Sequence, residues 1–150
     1  LLLDGLQDPS NVGAILRAAE AFGAGGVVLT PGTASPYAPK AFRASAGSAL
    51  RVAVVKNVLS TDAVAWSREI GATLAGADAH DGEDPDALRG VSPVVLAVGS
   101  EGHGLSAPVV SALDRRVRIP VSPRVESLNA AVAAGILLYA LSPKTSARKR

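Results

Sequence analysis

Short apolar runs alternate with amphipathic stretches along the chain. The runs, rich in Val, Leu and Ala, occupy residues 1–3, 26–30, 52–55, 73–77, 94–98 and 117–119. Several are continuously apolar rather than alternating, as in strands covered on both faces. Between the first two runs, Val12, Ile15, Leu16, Ala19 and Phe22 recur at helical spacing and predict a helix over 12–22. Ser10 or Asn11 is its expected cap and Gly23 its expected stop. Further helices are expected over 39–50, from Thr61 or Asp62 to Ile70 before Gly71, from a Ser106 cap to Leu113, and over 128–141. In the last, Val132, Gly135, Ile136 and Tyr139 fall in register, and Gly135 implies close packing or a nearby ligand.

This alternation predicts an α/β fold, with a mostly parallel six-stranded sheet flanked by helices. No internal repeat and no linker divides the chain, so residues 1–143 read as one domain followed by a basic tail, 144–150. The polar stretch 78–93 reads as a surface loop.

Composition adds a few limits. The content of 48% hydrophobic and 19% charged residues is that of a globular domain. Cysteine is absent, which excludes disulfides, thiolate metal sites and a cysteine nucleophile. His80 and His103, the two histidines, share no ligand spacing, so no metal site is expected. No run approaches the ~20 apolar residues of a membrane span, and no secretory signal pattern is present; a cytoplasmic address is expected. The chain starts Leu1-Leu2-Leu3 and contains no methionine, so it is expected to be a piece of a longer product. Net charge is +2. Much of the excess lies in Lys144, Arg148, Lys149 and Arg150, which form either a solvated terminus or an arm for phosphate.

The glycines carry the first chemical signal. A dinucleotide-binding fold places them after its first strand, but Asp4-Gly5-Leu6-Gln7-Asp8-Pro9-Ser10-Asn11 holds only one there. The cluster comes after the fifth run instead: Gly99-Ser100-Glu101-Gly102-His103-Gly104. Glycines at a strand's carboxyl end let a loop turn sharply against a ligand; a flexible connection is the other reading.

Three segments then stand out together. They are residues 8–23, beginning Asp8-Pro9-Ser10-Asn11 and containing Arg17; residues 98–105 around Gly99 and Glu101; and Ile119-Pro120 with Glu126-Ser127-Leu128-Asn129, continuing to Gly135 and Tyr139. In this order and spacing they resemble the three motifs of the SpoU/TrmH family of RNA ribose 2′-O-methyltransferases, within the SPOUT superfamily.

The resemblance spans essentially the whole chain. It implies S-adenosylmethionine as methyl donor, an α/β domain with a C-terminal deep trefoil knot, and a homodimer with each site near the subunit interface. It implies catalytic roles for Arg17, Asn11, Glu101, Ser127 and Asn129. Gly99, Ser100, Gly102, Ile119, Pro120, Ser127, Leu128 and Asn129, with Gly76 as a lesser candidate, are implied at the cofactor. By period alone Arg17 is a solvated helix arginine, and Asn11, Glu101 and Ser127 have ordinary capping readings. An arginine is a poor base, because its pKa exceeds 12; stabilising the developing alkoxide suits it better than taking the proton. His103 reads as an exposed loop residue.

The opening segment, with Arg43-Ala44-Ser45-Ala46-Gly47-Ser48, looks more like the branch that modifies ribosomal RNA than the tRNA branch. Members of that branch often carry an N-terminal RNA-binding domain, which would be missing here. Large-subunit rRNA is therefore the expected substrate and tRNA the alternative, with a role in resistance to ribosome-targeting antibiotics left open. Five aromatic residues are too few for a base-stacking platform, so Arg17, Arg43, Arg51 and the tail are the expected RNA contacts. Two other classes remain: a non-catalytic RNA-binding or dimerisation module, and a nucleotide-binding oxidoreductase. The intact motif residues count against the first and the late glycines against the second.

Overall fold

A computed structural model describes residues 1–142 of the chain. The basic tail, 144–150, lies outside the described residues.

Six strands form one parallel sheet: β1 (Leu2–Asp4), β2 (Val27–Leu29), β3 (Val54–Val55), β4 (Thr73–Ala77), β5 (Val94–Gly99) and β6 (Arg115–Val117). Their order is β3-β2-β1-β5-β4-β6, so the chain crosses from one half of the sheet to the other between β3 and β4. Parallel pairing points every strand's carboxyl end to one edge. Asp4 lies opposite Gly99 in register, which brings the loops after β1 and β5 side by side.

Alternate residues feed two cores, as a strand's period of two requires. Leu3, Ala75, Leu96 and Val98 pack under α1 (Pro9–Ala21) and α5 (Ala130–Leu141). Leu2, Leu74, Val95 and Ala97 pack under α3 (Ser60–Glu69) and α4 (Ala107–Ala112). Each such leucine or valine contributes about 1.5–3 kcal/mol by leaving water. The sixth strand lies two residues earlier than expected, so Ile119 belongs to the following loop and Pro120 does not end the strand.

The helix starts correct the sequence reading most. Asp8, not Ser10 or Asn11, caps α1: its Oδ1 accepts from Ser10 N at 2.9 Å, and Pro9 takes the first helical position, where a missing N–H costs nothing. Asn11 is thereby free for other contacts and is buried. Gly23 stops the helix as expected, at φ +73°. The segment expected as one helix over 39–50 is α2 (Pro39–Ser45) followed by a 3₁₀ turn, Ser48–Leu50. Ala46 and Gly47 separate them in left-handed conformations. Helix α1 rests on α2 at Gly13, where an added Cβ would lie 2.2 Å from the Ala41 carbonyl oxygen.

Asn129, not Ser127, caps α5. The core face of α5 is Ala130, Ala134, Leu137 and Leu138, whereas Val132, Ile136 and Tyr139 are exposed. Close packing does not explain Gly135, since a Cβ there would meet nothing within 4 Å.

Candidate active site

Three loops at the carboxyl edge converge on one polar cluster. Asn11 comes from the start of α1, Glu101 from the glycine loop after β5, and Asn129 from the cap of α5. Asn11 Nδ2 donates to Glu101 Oε1 at 3.0 Å. Asn129 Nδ2 donates to both Asn11 Oδ1, at 3.0 Å, and Glu101 Oε1, at 2.9 Å. The ring is closed, and each member fixes the other two.

The same residues terminate α5. Its first amide, Ala130 N, donates to Glu101 Oε1 at 3.2 Å. The next two, Ala131 N and Val132 N, donate to Asn129 Oδ1 at 3.0 and 3.2 Å. A carboxylate and an amide oxygen thus satisfy otherwise unpaired N–H groups at the positive end of the helix dipole. Glu101 Oε1 is filled by three donors, while Oε2 has no protein partner among the described residues.

Beside this cluster lies a cavity of ≈ 540 Å³, a size ordinary for a small-molecule site. The glycine loop forms one wall with Gly99, Ser100, Gly102 and Leu105; Ile119, Val121, Ser127 and Leu128 form the other. The first wall turns tightly. Ser100 and Gly104 exchange backbone hydrogen bonds of 3.0 and 2.9 Å, and a Cβ on Gly99 would lie 2.2 Å from the Gly104 carbonyl carbon. Gly99 is therefore required by the loop's own closure, besides lining the cavity.

Several expected site residues sit elsewhere. Gly76 and Pro120 do not line the cavity, nor does Asn129, which sits in the ring beside it; Gly76 makes room for Leu105 and Leu113, whose methyls lie 2.6–2.9 Å from an added Cβ. Arg51 is bound to Glu20 through its Nε and Nη2, so its charge is already neutralised. Arg17 is exposed, six residues and about 9 Å along α1 from Asn11 and on another side of the helix. It does not join its own chain's cluster. Arg43 is exposed and forms no ion pair among the described residues.

The sequence reading missed Asp78 and Arg116, which line the cavity and pair at 2.9 Å. Burial pushes the Asp78 carboxyl up, but the amides of His80 and Asp81 and the Arg116 guanidinium outweigh it and hold it below its ordinary value. Asp78 directly follows β4, and position at a strand's carboxyl end was the available signal. Among the described residues no group of His, Asp and Glu could hold a metal ion, and no helix is long and apolar enough to cross a membrane.

Apolar walls and backbone groups at Ile119, Val121 and Leu128, with charged groups at Asp78 and Arg116, suit a ligand that joins a flat heterocycle to a zwitterion. S-adenosylmethionine is such a molecule.

Comparison with known proteins gives the same direction. The model of the SpoU rRNA Methylase family matches residues 1–139. An uncharacterised tRNA/rRNA methyltransferase of Mycobacterium bovis is 40% identical over 140 residues, covering 93% of this chain and 44% of that protein. The chain thus spans less than half the length of this relative. The SpoU methyltransferase AviRb from Streptomyces viridochromogenes, solved with S-adenosylmethionine bound, superposes with a TM-score of 0.82 at 36% identity, over 93% of this chain and 54% of that one. A crystal structure of an RNA 2′-O ribose methyltransferase gives 0.82 at 32% identity, over 93% and 53%. The chain belongs to the SpoU family of RNA methylases, whose cofactor is S-adenosylmethionine.

Proposed function

We propose that the protein transfers a methyl group from S-adenosylmethionine to a ribose 2′-hydroxyl of RNA, its substrate being large-subunit ribosomal RNA. The observation that carries this is the closed Asn11–Glu101–Asn129 ring, which stands where the cofactor cavity meets the open face of the sheet edge. The 2′-O ribose methyltransferase among its structural neighbours supports the choice of acceptor.

The cofactor supplies an activated methyl on its sulfonium. Gly99, Ser100, Gly102, Ile119, Ser127 and Leu128 would hold it, while the rigid ring keeps the acceptor oxygen in line with that methyl. Negative charge builds on the oxygen as its proton passes to solvent water, and it is relieved as the oxygen takes the methyl and the sulfonium leaves as a neutral thioether. A cationic guanidinium stabilises that charge best.

Arg17 supplies the guanidinium from the second subunit of a homodimer in this reading. Val132, Ile136 and Tyr139 of α5 form an exposed apolar strip. Phe22 at the end of α1 meets Tyr139 edge to face, with centroids 5.7 Å apart, and extends it. A self-complementary patch of this kind suits a two-fold interface. Glu101 Oε2 is then the acceptor for the partner subunit's Arg17. The same proposal includes the trefoil knot, where residues 119–128 pass the 99–105 loop, an N-terminal RNA-binding domain, phosphate contacts from Arg43, and a cytoplasmic location.

The test uses the full-length protein, radiolabelled cofactor, and rRNA or tRNA from cells lacking the enzyme. A 2′-O-methyl group blocks alkaline cleavage at its own phosphodiester, so label in alkali-stable dinucleotides from 23S rRNA is expected. Label in mononucleotides would place the methyl on a base and contradict the proposal. Label in tRNA alone would move the substrate. No transfer by a folded, cofactor-binding protein would favour a non-catalytic module. Mixing Arg17→Ala with Glu101→Ala subunits tests the shared site: restored activity is expected, and none appears if Arg17 acts within its own chain.

A further inference from the structure

The segment from Pro31 to Ser60 holds Lys40, Arg43, Arg51 and Lys56 and no acidic residue, although the whole chain carries only +2. It spans the carboxyl ends of β2 and β3 and the helix between them. The cofactor cavity occupies the carboxyl ends of β5, β4 and β6, and Asn11 follows β1 in the middle. One edge of the sheet therefore carries the cavity at one end, the ring in the middle and Lys40 and Lys56 at the other, while Arg51, paired with Glu20, lies at the amino end of β3.

Within that stretch two side chains make a small platform. Tyr37, in the loop after β2, is 47% exposed, and Lys56, directly after β3, places Nζ 5.1 Å from its ring centroid. Both loops are held by local turns. Tyr37 N donates to Ser35 Oγ at 3.3 Å, and Asn57, next to Lys56, turns the chain with a left-handed φ of 59°, which asparagine adopts more readily than most residues. Lys40 bonds to Asp8, the cap of α1, at 3.0 Å and so ties this region to the helix that presents Asn11.

We propose that Tyr37 and Lys56 form a stacking and phosphate-binding step for a single-stranded RNA nucleotide that flanks the methylated one. The inference rests on the RNA reading above. Lys56 Nζ lies over one face of the ring, so a base would take the other face, and the cation suits the adjoining phosphate. One ring serves one nucleotide, so the low aromatic content of the chain is no obstacle.

The experiment measures binding of the full-length protein to fluorescein-labelled oligoadenylate, rA12, by anisotropy, and KM and kcat for methylation of rRNA. Tyr37→Ala is expected to weaken rA12 binding by about five- to hundredfold, while Tyr37→Phe stays within about twofold of wild type. Lys56→Ala is expected to reduce the slope of log affinity against log salt by about 0.7, one phosphate contact on a single strand. KM for rRNA should rise in Tyr37→Ala with little change in kcat. Trp66→Ala, on the exposed face of α3, serves as the surface control. Failure of the wild type to bind rA12, or a Tyr37→Ala variant that binds and turns over like Trp66→Ala, would overturn the proposal. A wild type that methylates rRNA while Tyr37→Ala is unaffected refutes the step alone. A wild type that binds rA12 through Tyr37 but methylates no RNA refutes the functional reading and leaves the step standing.

Discussion

Asn129 does two jobs that substitutions can separate. Its Oδ1 caps α5 through Ala131 and Val132, and its Nδ2 bridges Asn11 and Glu101. Asn129→Ala removes both. Losing the cap costs about 1 kcal/mol. Leaving Asn11 Oδ1 without its donor in a buried position adds about 1–3 kcal/mol. For a chain of this size each kcal/mol shifts Tm by about 2–4 °C, so a fall of roughly 5–15 °C is expected.

Asn129→Asp keeps the cap but replaces the bridging donor with a carboxylate. Nδ2 now lies 2.9 Å from Glu101 Oε1, so an oxygen there meets a like charge. Two unit charges 4 Å apart repel by about 1 kcal/mol in water and about 4 kcal/mol at a protein surface. The Asp variant should therefore be no more stable than the Ala variant at pH 7.5. Thermal unfolding by circular dichroism at pH 7.5 decides the matter. An Asp variant as stable as wild type at pH 7.5 would refute the closed ring.

Three further outcomes follow from the geometry. Gly99→Ala forces a Cβ into the Gly104 backbone and should abolish S-adenosylhomocysteine binding measured by calorimetry, with a loss of about 1–3 kcal/mol in urea unfolding. Glu20, held at a pKa of about 2 by its hydrogen bonds with Arg51 and then Ser48, has a depressed native pKa, so its contribution to stability is complete above about pH 4.5 and lost as pH falls through about 2. The Tm gap between wild type and Glu20→Gln should accordingly close across that window. On the proposed dimer, Ile136→Asp places a charge in the exposed strip of α5 and should yield a folded monomer in analytical ultracentrifugation where the wild type sediments as a dimer.

The apolar runs predicted every strand to within two residues; the buried strands β1, β4 and β5 are recorded directly in composition, whereas β6, which contains Arg115 and Arg116, lies two residues from its run. Strand order was not legible in them, since pairing of β1 with β5 joins residues about a hundred positions apart. In α5 the helical register selected Val132, Ile136 and Tyr139 as the core face, and the structure buries Ala134, Leu137 and Leu138 instead. A helix apolar on all sides gives periodicity nothing to choose between. Among the N-caps, Ser106 stands where expected, whereas α1 uses Asp8 and α5 uses Asn129; Ser10, Asn11 and Ser127 are equally competent cap residues, and the pattern gives no way to choose between them. Gly76 looked like a ligand residue because it follows the pattern of a strand's carboxyl end; the methyls of Leu105 and Leu113 account for it. The ring itself joins positions 11, 101 and 129, and the motif resemblance alone brought those three residues together in advance.

The central claim is that the cavity between the 99–105 and 119–128 loops is the cofactor site. Calorimetric titration with S-adenosylhomocysteine, on wild type and on Leu128→Arg, tests it most directly. Saturable binding to wild type, lost in a variant that remains folded, is the predicted result. Undiminished binding by Leu128→Arg, or none by the folded wild type, would contradict it.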